Sequence, residues 1–391
     1  MRQKRKPPRF GALKAVTSTL TLTLAAGVAL GAGIARAEPP AAFAPLPDAK
    51  EVNAARAELG ALLFFDTRLS GDTGHSCASC HDPALGWGTG EPMSHGYTGV
   101  LYFRNAPGLF NVANRKFLMW DGRLDGADLG TAVRDMLTEA HTMNIDSRLA
   151  QERLKQVPEY AAMFKAAYGG DPYGGKIYGA IAEYLKTIRT VNAPFDAYLR
   201  GDDTAIPDTA KRGMELFAGK AGCAACHSGA MLSDGGLHTT GVPDHPDLTG
   251  AGGSGATHGG HSGGGSGNAT AERQITMLRH FATMGTPNYM NLREDVGHYV
   301  VTKDRADWGK FVTPSLWDAG QTGPYMHSGV FATLPEVVAF YNAGNGRMAP
   351  LGLSAAEEAD LVAFLESLTG DAPAVTPPDL PDYALRTVGE N

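Results

Sequence analysis

Two five-residue stretches, Cys77-Ala78-Ser79-Cys80-His81 and Cys223-Ala224-Ala225-Cys226-His227, carry the residue types best suited to chemistry. Two thiols three positions apart, followed directly by an imidazole, are what covalent attachment of a c-type haem requires. The thiols add across the vinyl groups, and the histidine reaches the iron as proximal ligand. Only a tight turn beside one face of the ring brings all three into place. The two motifs use all four cysteines of the chain. A redox C-x-x-C pair or a shared zinc site would not need a histidine at the same place in both copies. The sequence therefore predicts two covalently bound haem c groups, and the group facing each iron from the other side will set its chemistry.

Such motifs need helices to wall the ring. Apolar residues recur at helical spacing from Val52 to Phe65, just before the first motif, and again at Met214, Leu216 and Phe217 before the second, with Asp208 or Thr209 as the cap. Ser354-Ala355-Ala356-Glu357 reads as a capping box that starts a closing helix with Leu361, Phe364, Leu365 and Leu368 on its buried face and Gly370 at its C-terminal cap. Ser147 to Tyr168 is helical with an interruption at Pro158, and Ile177, Ile181, Tyr184, Leu185 and Ile188 form a stripe expected to pack between the two halves. Residues 82–130, rich in Gly, Pro and Trp, read as loop. The expected fold is mostly α: two tandem cytochrome c-like domains with long loops, each around one covalently bound haem c. A chain of 391 residues has room for about two domains. They are placed at residues 38–203 and 204–370, with a Gly/Ser/His-rich insertion at 250–270 that holds His258 and His261, and a Pro-rich tail at 371–391.

The first 37 residues stand apart. A basic start, an apolar run and Ala35-Arg36-Ala37 read as a cleavable secretory signal peptide, with an uncleaved anchor as the alternative. Export to the periplasm agrees with haem attachment outside the cytoplasm, and no later stretch is long and apolar enough to span a bilayer. Residues 1–37 hold seven Lys/Arg and no Asp/Glu, so removing them from the total of 34 leaves 27 basic against 41 acidic side chains, a net charge of −14. That balance argues against nucleic-acid binding and suits a basic redox partner.

Several further stretches carry a resemblance: Leu69-Ser70-Gly71-Asp72, Arg104-Asn105-Ala106-Pro107, Trp120-Asp121-Gly122-Arg123, Phe311-Val312-Thr313-Pro314-Ser315-Leu316 and Pro324-Tyr325-Met326-His327-Ser328-Gly329. In this order they resemble the bacterial di-haem cytochrome c peroxidase superfamily, which includes the MauG enzymes, over about residues 50–370. Gly96-Tyr97-Thr98-Gly99, Asp121 to Gly126 and Leu137 to His141 look most like its MbnH-type branch.

The resemblance implies a division of labour. The haem held by His81 would react with hydrogen peroxide. The haem held by His227 would transfer electrons, with Trp120 as relay between them. The sixth ligand of the second haem falls on Tyr341, with Met348 as competitor; Tyr is the MauG pattern and Met the pattern of peroxidases fed by a cytochrome. The family's acid–base Glu has no exact counterpart. His141 and Glu139 are the candidates, in that order. His95 matches a distal ligand of the resting first haem. A calcium ion between the domains would take the Asn105 side chain and the backbone carbonyls of Thr322 and Pro324, and His327 and Lys310 would contact haem propionates.

Three functions remain open at this point. The first is peroxide reduction with electrons from a small cytochrome c or cupredoxin. The second is a MauG-like oxidation of Trp or Tyr in a partner protein through high-valent iron. The third is a di-haem electron carrier without catalysis.

Overall fold

The computed structural model describes residues 40, 42–97, 100–250 and 266–383. The expected signal peptide at 1–37 and most of the 250–270 tract, with His258 and His261, lie outside them. Helix α1 (Ala54–Phe65) starts where the Asn53 carboxamide accepts from the Arg56 amide at 3.1 Å, and it buries Leu59, Leu63 and Phe64. The Ser147–Tyr168 segment is divided as Pro158 requires, into α3 (Ser147–Lys155) and α4 (Pro158–Tyr168), after α2 (Leu129–Thr138). Then come α5 (Gly174–Leu185), α6 (Pro194–Leu199), α7 (Asp208–Ala218), α8 (Pro246–Thr249), α9 (Ser266–Thr283), α10 (Tyr299–Thr302), α11 (Leu334–Ala343) and α12 (Ala355–Ser367). Two short antiparallel pairs complete the frame: β1 (Phe117–Leu118) with β2 (Leu124–Asp125), and β3 (Leu237–His238) with β4 (Phe311–Val312).

The same device closes both halves. In the first, α1 crosses α5 so closely that a Cβ on Gly60 would lie 2.0 Å from the Ala180 carbonyl oxygen. In the second, α7 crosses α12 with Gly213 facing the Asp360 carbonyl oxygen, where a Cβ would lie 1.9 Å away. Glycine is the residue that lets two backbones approach so closely. Each crossing sits at the heart of its own apolar cluster. Leu59, Leu63, Tyr160, Phe164, Ile177 and Ile181 belong to one; Phe195, Met214, Phe217, Trp317, Phe364 and Leu365 belong to the other. A third cluster joins Met93 and Phe103 to Leu248, Met277, Phe281, Val296 and Val300.

Ile188 belongs to the first cluster, whereas Phe43, Leu46 and α6 join the second. Three expectations are corrected. Helix α5 packs on α1 and α2 within the first cluster rather than between the halves, because Gly60 gives α1 a groove for it. Helix α7 is preceded by Pro207 and has no side-chain cap from Asp208 or Thr209. Gly370 lies beyond the cap residue Leu368; it serves a close approach, with a Cβ falling 2.2 Å from the Val191 oxygen, and its amide donates to Asp318 at 2.9 Å.

The glycine crossings give a direct test. Gly213→Ala gains helix propensity but forces α7 away from α12, so a net loss of about 1–3 kcal/mol is expected in urea unfolding of the holoprotein. Stability at or above that of the unsubstituted chain would show that the crossing tolerates a side chain.

Candidate functional site

The two motifs adopt the same turn. Cys77–Ser79 and Cys223–Ala225 are single 3-10 turns, and in each the histidine amide donates to the first cysteine carbonyl at 2.9 Å. Each imidazole is then fixed from behind. His81 Nδ1 lies 3.0 Å from the Trp87 carbonyl oxygen, and His227 Nδ1 lies 3.1 Å from that of Leu232. This sets the tautomer and leaves Nε2 as the coordinating atom, the usual support of a metal-ligating histidine. Burial pulls His81 down to about 4 and lowers His227 as well, so both rings are neutral, as ligation requires. Burial also pushes the Cys77 thiol up to about 12 and Cys80 to about 11, which is unlike the acidic thiol of a redox C-x-x-C pair.

The second motif opens on a cavity of about 460 Å³, bounded among others by Cys223, Cys226, His227, Trp120, Tyr341 and His327. Neutral rings with free Nε2 atoms, flanking thiols and an apolar chamber fit a covalently attached haem. Tyr341 projects from α11, which starts with a Thr333–Glu336 capping box, and burial raises its phenol. Met348 is not among the described residues that line this cavity, and its amide donates to the Asn345 carbonyl at 3.1 Å. His327 stacks on Phe311 at 3.8 Å and sets its Nε2 3.2 Å from Asp244. Lys310 departs from expectation: its ammonium reaches Asp307 at 3.0 Å, one turn back, and it does not line the cavity. Asn105, Thr322 and Pro324 do share one wall of the chamber. Trp120 sits in the β1–β2 hairpin; its indole N–H donates to the Asn105 carbonyl at 2.9 Å, and its own carbonyl accepts from Val312 at 2.9 Å.

Near the first motif the chain gathers a half-buried polar cluster. The His95 carbonyl accepts from Cys80 Sγ at 3.2 Å, and at Gly96 a Cβ would lie 2.0 Å from the His141 oxygen, so His95 and Gly96 link motif and cluster. His141 Nε2 lies 3.1 Å from Glu139 Oε2, and the Tyr102 ring stacks on His141 at 5.2 Å. Arg123 donates to both Glu139 oxygens at 3.3 and 3.4 Å. Burial alone would raise the Glu139 carboxyl, but the bond to His141 and the Arg123 charge together hold it down to about 2. His95 is not part of the cluster. Its ring is 55% exposed and pairs with Glu91 at 2.9 Å, because the bridge between His95 and Leu101 turns it outward.

A chain of buried charges runs from this cluster to the second chamber. Arg123 also reaches Asp121 at 3.1 Å; Asp121 receives Arg104 Nη1 at 2.6 Å; Arg104 grips Asp295 through Nε and Nη2 at 2.5 and 2.8 Å. The Asp295 amide donates to Asp244 at 2.9 Å, and Asp244 meets His327. His280, on α9, lies 3.5 Å from Asp121 and edge-on to His141 at 5.6 Å. For Arg104 burial works against the charge, yet the two aspartates hold the guanidinium well above its ordinary range.

Paired turns of haem-attachment type on a mostly helical frame are the mark of a di-haem c-type oxidoreductase. The chain belongs to the di-haem cytochrome c peroxidase family, whose model matches residues 54–204. It is 52% identical over 369 residues to cytochrome-c peroxidase IdrP2 of Denitromonas iodatirespirans, covering 93% of this chain and 95% of that one. It is 35% identical to the methylamine utilization protein MauG of Methylorubrum extorquens, covering 86% and 84% of the two chains. Among solved structures, a MauG-like protein associated with microbial copper homeostasis superposes with a TM-score of 0.64 at 25% identity, covering 84% of this chain and 93% of its own. The chain is accordingly a peroxidase-type oxidoreductase with two haems.

Sequence reasoning missed Tyr102, Asp244, His280 and Asp295, which come from loops and from α9 and meet Arg104, Asp121 and Arg123 only through folding. The Trp120-Asp121-Gly122-Arg123 motif pointed to the place but not to these partners. The buried pairs predict a sharp asymmetry. Arg104→Met would strand Asp295 beside Asp121 and is expected to cost about 3–5 kcal/mol in denaturant unfolding; a loss below 1 kcal/mol would show that the network does not hold the fold.

Proposed function

We propose that this protein is a periplasmic enzyme that reduces hydrogen peroxide at the haem held by His81, with electrons entering through the haem held by His227 from a small cytochrome c or cupredoxin. The O–O bond breaks, two electrons and two protons are consumed, and two waters leave. The observation that carries this reading is the half-buried His141–Glu139–Arg123 cluster beside the first motif, together with relatives named cytochrome-c peroxidase. Two haems supply the electron-transfer chemistry. The chain's own part is to position peroxide and move protons. A carboxylate held at about 2 is a poor proton acceptor near neutrality, so Glu139 orients the His141 ring while His141 takes a proton from one peroxide oxygen and returns it to the other. The His95 ring, paired to Glu91, would leave peroxide an approach to the first haem. Trp120 relays charge between the two centres. A calcium ion on Asn105, Thr322 and Pro324 would stiffen the wall beside it, because hard oxygen donors suit that ion. Export is inferred from the N-terminal signal. Among the described residues no helix is long and apolar enough to cross a membrane.

One observation favours a second reading. Tyr341 lines the chamber with His227, and a phenolate oxygen stabilises oxidised iron. That is the arrangement of a MauG-like enzyme that oxidises Trp or Tyr of a partner protein. Rapid oxidation of reduced cytochrome c by peroxide would support the first reading. Reaction with peroxide in the absence of any reductant, giving a long-lived oxidised state and no cytochrome turnover, would replace it with the second.

Two substitutions test the residue roles. His141→Gln is expected to lower peroxide turnover by about 10²–10⁴, and Glu139→Gln by less; equal activity of all three proteins would remove the cluster from the mechanism. Tyr341→Phe should change the ferric spectrum of the second haem, and an unchanged spectrum would rule out Tyr341 as ligand.

A further inference from the structure

Arg115 is a part-buried cation without an anion among the described residues. It follows the Val112–Asn114 turn, just before β1. Its Nη2 donates to two backbone carbonyls, Gly108 at 2.5 Å and Phe110 at 3.0 Å, and its Nε is buried with no partner at all. Among the described residues no carboxylate forms an ion pair with it. Arg104 and Arg123 are each held by two carboxylates. Burial of Arg115 is opposed by no neighbouring charge and draws its guanidinium down to about 10. Leaving an ion in that state costs several kcal/mol, which an incoming anion would recover. A planar guanidinium with a free Nε edge matches a carboxylate in the two-point fashion of Arg–carboxylate pairs.

The position of Arg115 says which carboxylate. It lines the 460 Å³ chamber of Cys223, Cys226 and His227, and also a neighbouring cavity of about 150 Å³ beside Trp120 and Thr313. It thus faces the second attachment site and lies next to the indole. Thr313 lines both cavities too, with its hydroxyl oxygen buried.

We infer that Arg115 is a haem-binding residue: its guanidinium, with the Thr313 hydroxyl beside it, receives a propionate carboxylate of one of the two haems where they face each other across Trp120. A guanidinium at that edge offsets the propionate charge felt by the iron and favours the reduced state. Arg115 would therefore help set the potential difference that drives electrons between the haems. The inference rests on the two-haem reading, which is checked separately by counting haems per chain.

The experiment is a spectropotentiometric titration of full-length holoprotein carrying Arg115→Gln, after a pyridine haemochrome assay has confirmed two haems per chain. One midpoint potential is expected to fall and to become pH-dependent as the released propionate titrates, and Arg115→Lys should restore most of the shift. Identical potentials in the variant and the unsubstituted protein, with both haems attached, would overturn the assignment. So would a shift that vanishes on adding chloride or phosphate, since it would mean that Arg115 holds a free anion. If Arg115→Gln fails to load both haems, resonance Raman of the unsubstituted holoprotein decides. A propionate bending mode displaced by strong hydrogen bonding supports the assignment. Propionate modes of both haems at the position of solvated carboxylates exclude it.

Discussion

The structure depends on the burial of Arg104 between Asp121 and Asp295. A guanidinium that is 2% exposed survives only because two carboxylates meet it at 2.5–2.8 Å. The three residues come from three separate loops, so their pairing ties together segments that have little regular secondary structure. Asp121 belongs to the hairpin turn that presents Trp120, and Asp295 belongs to the loop that leads into α10. The indole is therefore placed not by a helix but by an electrostatic clamp. Arg123 extends the clamp to Glu139 and Asp244 extends it to His327, so the acid–base cluster and the second chamber are mounted on the same network. Such a network contributes little net stability over an apolar core, but its hydrogen-bond geometry specifies one arrangement of the loops.

Around this clamp the two halves are built alike and used differently. Each has a glycine-mediated helix crossing, a 3-10 attachment turn and a histidine pinned through Nδ1 by a backbone carbonyl. What differs is the opposite side. Near the first motif the chain supplies charged and titratable groups, and near the second it supplies apolar walls, a raised phenol and His327. This asymmetry is what the proposed division between a reacting centre and an electron-storing one rests on.

Legibility in the sequence followed the range of the interactions. The attachment turns were readable because all their ligands lie within five residues. Helices α1, α3, α4 and α12 were readable because periodicity, Pro158 and the Ser354–Glu357 box are local signals. The placement of α5 was misjudged because an apolar stripe says that a face is buried but not against what; Gly60 supplied the answer from more than a hundred residues away. His95 and Lys310 were chosen by motif position, and their short-range pairing with Glu91 and Asp307 was not readable from the motif.

By itself the sequence determined the two haem-attachment motifs, the tight turn each would form, and the helices that would frame them. These follow from covalent chemistry and local backbone preference, which act over a few residues. Only the tertiary structure decided what else surrounds the irons. The Arg104 clamp, the approach of His280 to His141, Tyr341 in the chamber of His227 and the unpaired guanidinium of Arg115 all require segments 17 to more than 150 residues apart to meet. Charges and rings find such partners through burial, where an ion must be paired to remain ionised, and no local pattern records which partner that will be.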